Sequence, residues 1–215
     1  MKNKGFVVIG LSGAAILFFA LKFFSSAPLI AKTVDSNIPL GSFIRMHSPE
    51  MGNKKAKVIV VEWFDPECES CRAIHPSVKK IVQDYGDRVR FVFRYMPYHP
   101  GSMFAASAIE EAREFGKFEE ALDVIFEKQP EWGDHRQPRP ELIPTYLTAL
   151  GIPKDKLSEK YLVQKHGEKI RMDESDGKSV GVQGTPTFFV DGKMVLEYGA
   201  KPLREAVESA LSVTE

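Results

Sequence analysis

Apolar positions along this chain change period several times. Val58-Ile59-Val60-Val61-Glu62-Trp63-Phe64 is a short, β-rich apolar run holding one acid, and it predicts a buried strand. Ile74, Val78, Ile81 and Val82 then recur at helical spacing, which predicts a helix over 71–84 with one apolar face. Arg88 to Tyr95 alternates, with Val89, Phe91 and Phe93 on one side, and predicts a second strand. From Gly101 to about Asp176 the period is helical. Ala105, Ile109, Ala112 and Phe115 form one set, Phe118, Leu122, Ile125 and Phe126 a second, and Leu142, Tyr146, Leu147 and Leu150 a third. Gly116, Pro130 to Gly133 and Gly151 to Pro153 punctuate this block. Thr187 to Val190 and Lys193 to Tyr198 flank Asp191-Gly192, a dipeptide suited to a type I′ hairpin turn. Pro202 to Leu211 closes the chain as an amphipathic helix. The predicted order is strand, helix, strand, helical block, hairpin, helix.

The first 24 residues follow a different rule. Lys2 and Lys4 precede an uncharged run from Gly5 to Leu21, and Phe23 and Phe24 follow Lys22. Extended to Phe24, this segment would reach about 30 Å as a helix, enough for a bilayer core. The positive start places the N-terminus in the cytoplasm and the remainder outside. Residues 5–24 are therefore expected to anchor the protein at the extracytoplasmic (periplasmic) face of the inner membrane. The alternative is a cleaved signal peptide and a soluble periplasmic product; Pro28, directly after Ser25-Ser26-Ala27, argues against cleavage there. Residues 25–56 mix Ser, Pro, Gly, Asn and Lys and read as a tether and N-terminal extension, with a short strand at 42–45. Residues 57–215 then form one domain, large enough for a proper core.

Charge narrows the partners. The chain carries 29 basic and 29 acidic residues. Without Lys2, Lys4 and Lys22 the exported part has 26 against 29, which gives no electrostatic reason to bind nucleic acid.

Chemistry concentrates at Cys68-Glu69-Ser70-Cys71, which holds the only two cysteines. The pair follows the first strand and opens the first helix. A cysteine at a helix start faces unpaired N–H groups and the positive end of the dipole, and both favour the thiolate. Cys68 is the expected nucleophile and Cys71, one turn in, the resolving thiol. A purely structural disulfide fits less well, since a four-residue loop constrains the unfolded chain by only about 2 kcal/mol against ~4 for a ~60-residue loop. Zinc would need four ligands, and no second cysteine pair exists to complete them. His75, four residues after Cys71, leaves copper(I) binding or delivery as a different class of function.

Several segments together resemble the DsbA family of exported thiol oxidoreductases, including its membrane-anchored BdbD-like members. They are Val60 to Phe64 leading into the cysteine pair, Phe93-Arg94-Tyr95-Met96-Pro97-Tyr98-His99-Pro100 leading into the helical block, and Gly184-Thr185-Pro186-Thr187-Phe188. The resemblance covers about Lys57 to Leu211. It implies an α/β thioredoxin fold with an inserted helical block at about 101–176. It implies that Pro186 is a cis proline packed on the cysteine pair, and that Thr185 and Pro186 bind substrate peptide as an added strand. It also implies that Glu62, matching a buried acid of the family, exchanges protons with the resolving thiol; an edge-strand glutamate facing water is the alternative. No cofactor motif is present and no metal is implied. The partners would be exported proteins with thiols or disulfides, and a second redox protein that resets the site.

One departure bears on direction. Strong oxidants of the family usually carry a histidine between the cysteines, whereas this chain has Glu69-Ser70. A neighbouring carboxylate is expected to raise the Cys68 pKa and make the disulfide less oxidising. A reductase or isomerase therefore stands beside the oxidase as an alternative. Pro76 is expected to kink the first helix, His75 to be a partly exposed helix residue, and His99 to be structural.

Overall fold

The computed structural model describes residues 40–214. The expected anchor or leader at residues 1–24 lies outside them. Among the described residues no helix is long and apolar enough to cross a membrane.

Five strands form one sheet: β1 (Glu50–Gly52), β2 (Val58–Phe64), β3 (Val89–Tyr95), β4 (Thr187–Val190) and β5 (Lys193–Met194), in the order β1-β3-β2-β4-β5. β2 and β3 are parallel, and the helix α2 (Glu69–Tyr85) makes the crossover between them. The other pairings are antiparallel. This is the thioredoxin fold that the resemblance implied. Between β3 and β4 lie α3 (Ser102–Glu114), α4 (Phe118–Glu127), α5 (Gln129–Trp132), α6 (Ile143–Ala149) and α7 (Glu159–Ser179), and α8 (Ala200–Thr214) follows the hairpin.

β2 is the central strand, with Glu62 opposite Phe93 of β3 and Phe188 of β4. Glu62 is thus not an edge residue facing water. Successive side chains of a strand point to opposite faces. Val58, Val60 and Phe64 join Cys71, Ile74, Val78 and Ile81 of α2, Leu203 and Val207 of α8, and the apolar faces of α3, α4 and α6 in the main core. Glu62 shares that face. Val61 and Trp63 build a smaller core on the other side with Phe43, Val92, Met96 and Phe189. There Phe43, Trp63 and Phe189 pack edge-on at 5.2–6.0 Å. Such pairs add about 0.5–1.5 kcal/mol each beyond the area they bury. α7 comes so close that a Cβ on Gly177 would sit 2.6 Å from the Trp63 indole nitrogen, so only glycine fits.

Three expectations are corrected. The segment 42–45 is not a strand: a short helix α1 (Leu40–Phe43) occupies it in part, and the added strand is β1. From residue 40 the supposed tether is folded onto the domain. Arg45 binds Asp176 of α7 through two 2.8 Å hydrogen bonds, and His47 Nε2 lies 2.9 Å from Asp173. Those two acids also hold the fully buried Arg94 of β3, so the segment is pinned by a charge network invisible to hydrophobic period. The second hairpin strand is only β5, although Asp191 (φ 46°) and Gly192 (φ 77°) form the predicted turn with positive φ at both positions. Pro76 lies inside the 17-residue α2.

Candidate active site

β2 ends at Phe64, and Asp65-Pro66-Glu67 carries the chain to the start of α2. Cys68 occupies the N-cap with an extended backbone (φ −77°, ψ 122°). Its N–H donates to the Asp65 carbonyl at 3.1 Å, which fixes the turn. Both cysteines are free thiols. Cys68 is 9 % exposed and Cys71 0 %, so of the pair only Cys68 retains contact with solvent.

The two sulfurs are set far apart electrostatically. The Cys68 thiol falls to about 5. The largest cause is a hydrogen bond from the Cys71 thiol; burial opposes it, and the Thr185 hydroxyl and the main-chain N–H groups of Cys71 and Ser70 reinforce it. Those N–H groups approach the sulfur without closing a cap hydrogen bond, so they act as the positive end of the helix. Cys71 is pushed well above the ordinary thiol range, chiefly by burial and then by its hydrogen bond to Cys68 and the nearby charges of Cys68 and Glu62. Its Sγ accepts from the Asp65 N–H at 3.5 Å. Glu62, 3 % exposed, is raised to about 8, first by burial and then by the Cys68 charge.

The Thr185–Pro186 peptide bond is cis, and the Thr185 carbonyl accepts from the Cys68 thiol at 3.3 Å. The hydroxyl of Thr185 favours the thiolate, while this carbonyl can accept only from the protonated thiol. The structure therefore brings Cys68, Cys71 and the Thr185–Pro186 loop together, with Glu62 beneath them on the core face of β2.

Two expectations about charge are overturned. Cys68 is lowered, not raised. The Glu69 side chain is 58 % exposed and lies 3.7 Å from His135 Nε2, turned toward solvent rather than the sulfur. His75 is buried and directs Nε2 to Asp123 at 2.8 Å. Among the described residues it does not gather with the two cysteines as a metal-ligand cluster.

Sequence reasoning missed a polar layer around the helix start. Asp65, fully buried, accepts from the N–H groups of Glu67 (2.8 Å), Tyr98 (2.8 Å) and His99 (3.2 Å), and from Ser102 Oγ. His99 Nδ1 is 2.7 Å from the same carboxylate. Glu67 accepts from the Gly101 N–H at 2.7 Å. From α5, Gln129 Nε2 donates to the carbonyls of Pro66 (2.9 Å) and Cys68 (3.0 Å), and Arg72 Nε donates to Gln129 Oε1 at 2.9 Å. Tyr198, 60 % exposed, donates its hydroxyl to the Ser70 carbonyl at 3.1 Å. The available signal was the acid three residues before Cys68 in an otherwise apolar approach.

A parallel β2–β3 pair, a helix that starts on one of two thiols, and a cis-proline loop against that thiol define a thiol–disulfide oxidoreductase of thioredoxin fold. The thioredoxin family profile matches residues 46–209, and the chain belongs to that family, as a DsbA-like member. Oxidised BdbD from Bacillus subtilis superposes with a TM-score of 0.68 at 27 % identity, over 77 % of this chain and 94 % of BdbD. A thioredoxin-like oxidoreductase from Silicibacter pomeroyi DSS-3 does so with a TM-score of 0.68 at 27 % identity, over 81 % and 98 %. α-DsbA2 from Wolbachia pipientis, a thiol–disulfide exchange protein, shares the fold at 20 % identity and a TM-score of 0.66, over 79 % and 90 %. In sequence, the chain is 34 % identical over 165 residues to Na(+)/H(+) antiporter NhaA 3 of Salinispora tropica, covering 75 % of this chain and 24 % of the antiporter. It is 30 % identical over 160 residues to the NhaA antiporter of Herminiimonas arsenicoxydans, covering 74 % and 25 %. The chain spans about a quarter of the length of these curated relatives.

Proposed function

We propose that Cys68-Glu69-Ser70-Cys71 is the redox centre of an exported enzyme that donates disulfides to exported proteins. The observation that carries this reading is the polarity of the pair. Cys68 is a stabilised thiolate at the helix start, and Cys71 is a buried thiol held protonated. In the oxidised enzyme a substrate thiolate attacks Cys68 Sγ, and the Cys68–Cys71 bond breaks. A mixed disulfide forms and the electron pair leaves on Cys71, which takes a proton from Glu62. A second substrate thiolate attacks the substrate sulfur of the mixed disulfide and expels the Cys68 thiolate. The substrate loses two electrons and the enzyme gains them. A thiolate stable near pH 5 is a good leaving group, so the low Cys68 pKa favours donation over reduction.

Thr185 and Pro186 offer main-chain groups beside Cys68, suited to a peptide laid as an added strand. Tyr198, exposed and bonded through its hydroxyl to the Ser70 carbonyl, provides apolar surface at the start of α2. A second redox protein would reoxidise the pair. Export rests on the chemistry, since disulfides persist outside the cytoplasm, and on residues 5–24 as the anchor. Antiporters work across a membrane, and the occurrence of a related segment within them agrees with a membrane-side location. The test is to mix the oxidised enzyme with a reduced dithiol peptide and to measure its equilibrium with glutathione. Stoichiometric transfer of one disulfide, and a potential above that of thioredoxin at about −270 mV, is the expected result. Transfer no faster than the uncatalysed reaction would reject the reading; a potential at or below thioredoxin's would reverse the direction to reductase or isomerase.

A further inference from the structure

Two imidazoles stand beside the helix start without any part in the scheme above. His99 comes from the loop between β3 and α3, and His135 from the segment after α5. Their rings stack with centroids 4.8 Å apart and planes inclined by 24°. His99 is anchored by Nδ1 to Asp65 Oδ2 at 2.7 Å. The main chain of that same Asp65 touches both cysteines: its carbonyl accepts from the Cys68 N–H at 3.1 Å and its N–H donates to Cys71 Sγ at 3.5 Å. On the far side of the stack, His135 Nε2 is 3.7 Å from Glu69 Oε1 in the first turn of α2. The stacked rings thus run along the mouth of the site, from the residue that brackets the cysteines to the residue after Cys68.

We propose that His99, held as a cation by Asp65, is a positioning residue that stabilises the Cys68 thiolate and sets how oxidising the site is. The reading rests on Cys68 being the exchanging sulfur. Around His99 stand the Asp65 carboxylate and the ring of His135, with Glu69 beyond, and the charges of Glu67 and Cys68 also act on it. Burial works against the cation, but the hydrogen bond and charge of Asp65, with Glu67 and Cys68, outweigh it, and the His99 pKa is raised. Its side chain is 27 % exposed, so a buried carboxylate holds it on one edge while water reaches the other. Coupling is reciprocal: if the thiolate favours the imidazolium, the imidazolium favours the thiolate to the same extent. Asp65 alone would raise His99 in either redox state, so the dependence on redox state is the distinguishing feature.

The experiment is a titration of the histidine ring resonances by NMR in the wild-type protein, oxidised and reduced, with His99 assigned by the loss of its signal in His99→Asn. Asparagine keeps an N–H where Nδ1 donates to Asp65 and removes the charge; His99→Gln is the second variant. The His99 midpoint is expected to be about one unit higher in the reduced protein, the low end of the usual effect of a nearby opposite charge. In His99→Asn the Cys68 midpoint, followed by thiolate absorbance, should rise by the same amount, a tenfold loss of thiolate below the midpoint. That corresponds to a fall of about 30 mV in potential where His99 is charged. Equal His99 midpoints in the two redox states would overturn the proposal, as would superimposable Cys68 titrations of wild type and variant. A wild type that exchanges disulfides normally while its His99 midpoint stays fixed would reject this role alone and leave the exchange chemistry standing.

Discussion

Burial acts on Glu62 and Cys68 with opposite net results. Glu62 has its apolar surroundings to itself and rises to about 8, while Cys68 has donors enough to outweigh burial and falls to about 5. These shifts are statements about stability. The folded protein holds the Glu62 proton over the window from 4.5 to about 8, where the unfolded chain has released it, so stability falls as pH rises through that window. Cys68 does the reverse between about 5 and 9.0, since the unfolded chain binds the proton that the folded thiolate has lost. In the reduced protein the two slopes oppose each other. In the oxidised protein Cys68 does not titrate, and the Glu62 slope remains because its main cause is burial. Oxidised wild type is therefore expected to lose a few kcal/mol of stability relative to oxidised Glu62→Gln between pH 5 and 8, at about 1.4 kcal/mol per unit of separation. Urea midpoints across that range measure it, and parallel profiles would mean that Glu62 ionises freely. The same variant should slow formation of the mixed disulfide by the oxidised enzyme near neutral pH, because that is the step in which Cys71 leaves and takes its proton from Glu62.

The elements that declare themselves in sequence are those with one clean period. β2, β3 and the apolar face of α2 were legible because Val58 to Phe64, Val89 to Phe93, and Ile74, Val78 and Ile81 each repeat a single spacing. α1 and β1 were not, because residues 40–52 are held by Arg45, His47 and a three-residue edge pairing rather than by an apolar stripe. β5 is shorter than its apolar sequence suggests: the Val195 N–H still donates to the Phe188 carbonyl, but no strand continues to Tyr198, whose hydroxyl instead reaches the Ser70 carbonyl. From the short helix α5, buried Gln129 spans the Pro66 and Cys68 carbonyls and couples the helical block to the active-site turn. Gln129→Ala is expected to cost about 1–3 kcal/mol, the usual cost of buried polar groups left unpaired. Denaturant unfolding of the variant checks this, and a loss below about 0.5 kcal/mol would mean that water replaces the amide without cost.

Across the whole molecule, what stayed hidden in the sequence was distance. Asp65 and His99 are 34 residues apart in the chain, and Arg94 meets Asp173 and Asp176 across 79 and 82 residues. No local pattern encodes such pairs. The cysteine pair and the Thr185–Pro186 loop were legible because each is a compact motif, but the low pKa of Cys68 was not. It depends on where Glu69 points and on what Cys71 and Thr185 donate, and these are settled only when the helix start, the proline loop and the β3–α3 loop converge. The account as a whole turns on Cys68 being the sulfur that joins to substrate and Cys71 the one that leaves as the mixed disulfide forms and attacks Cys68 in the reverse direction. The most direct test is mass spectrometry of adducts formed with a disulfide-bearing peptide by Cys68→Ser and Cys71→Ser proteins, in which the attacking thiolate displaces one peptide sulfur as a thiolate. Cys71→Ser should accumulate a peptide mixed disulfide on Cys68, because attack survives and resolution does not, whereas Cys68→Ser should form none. A stable adduct on Cys71 in the Cys68→Ser protein, with none on Cys68 in the other, would contradict the assignment.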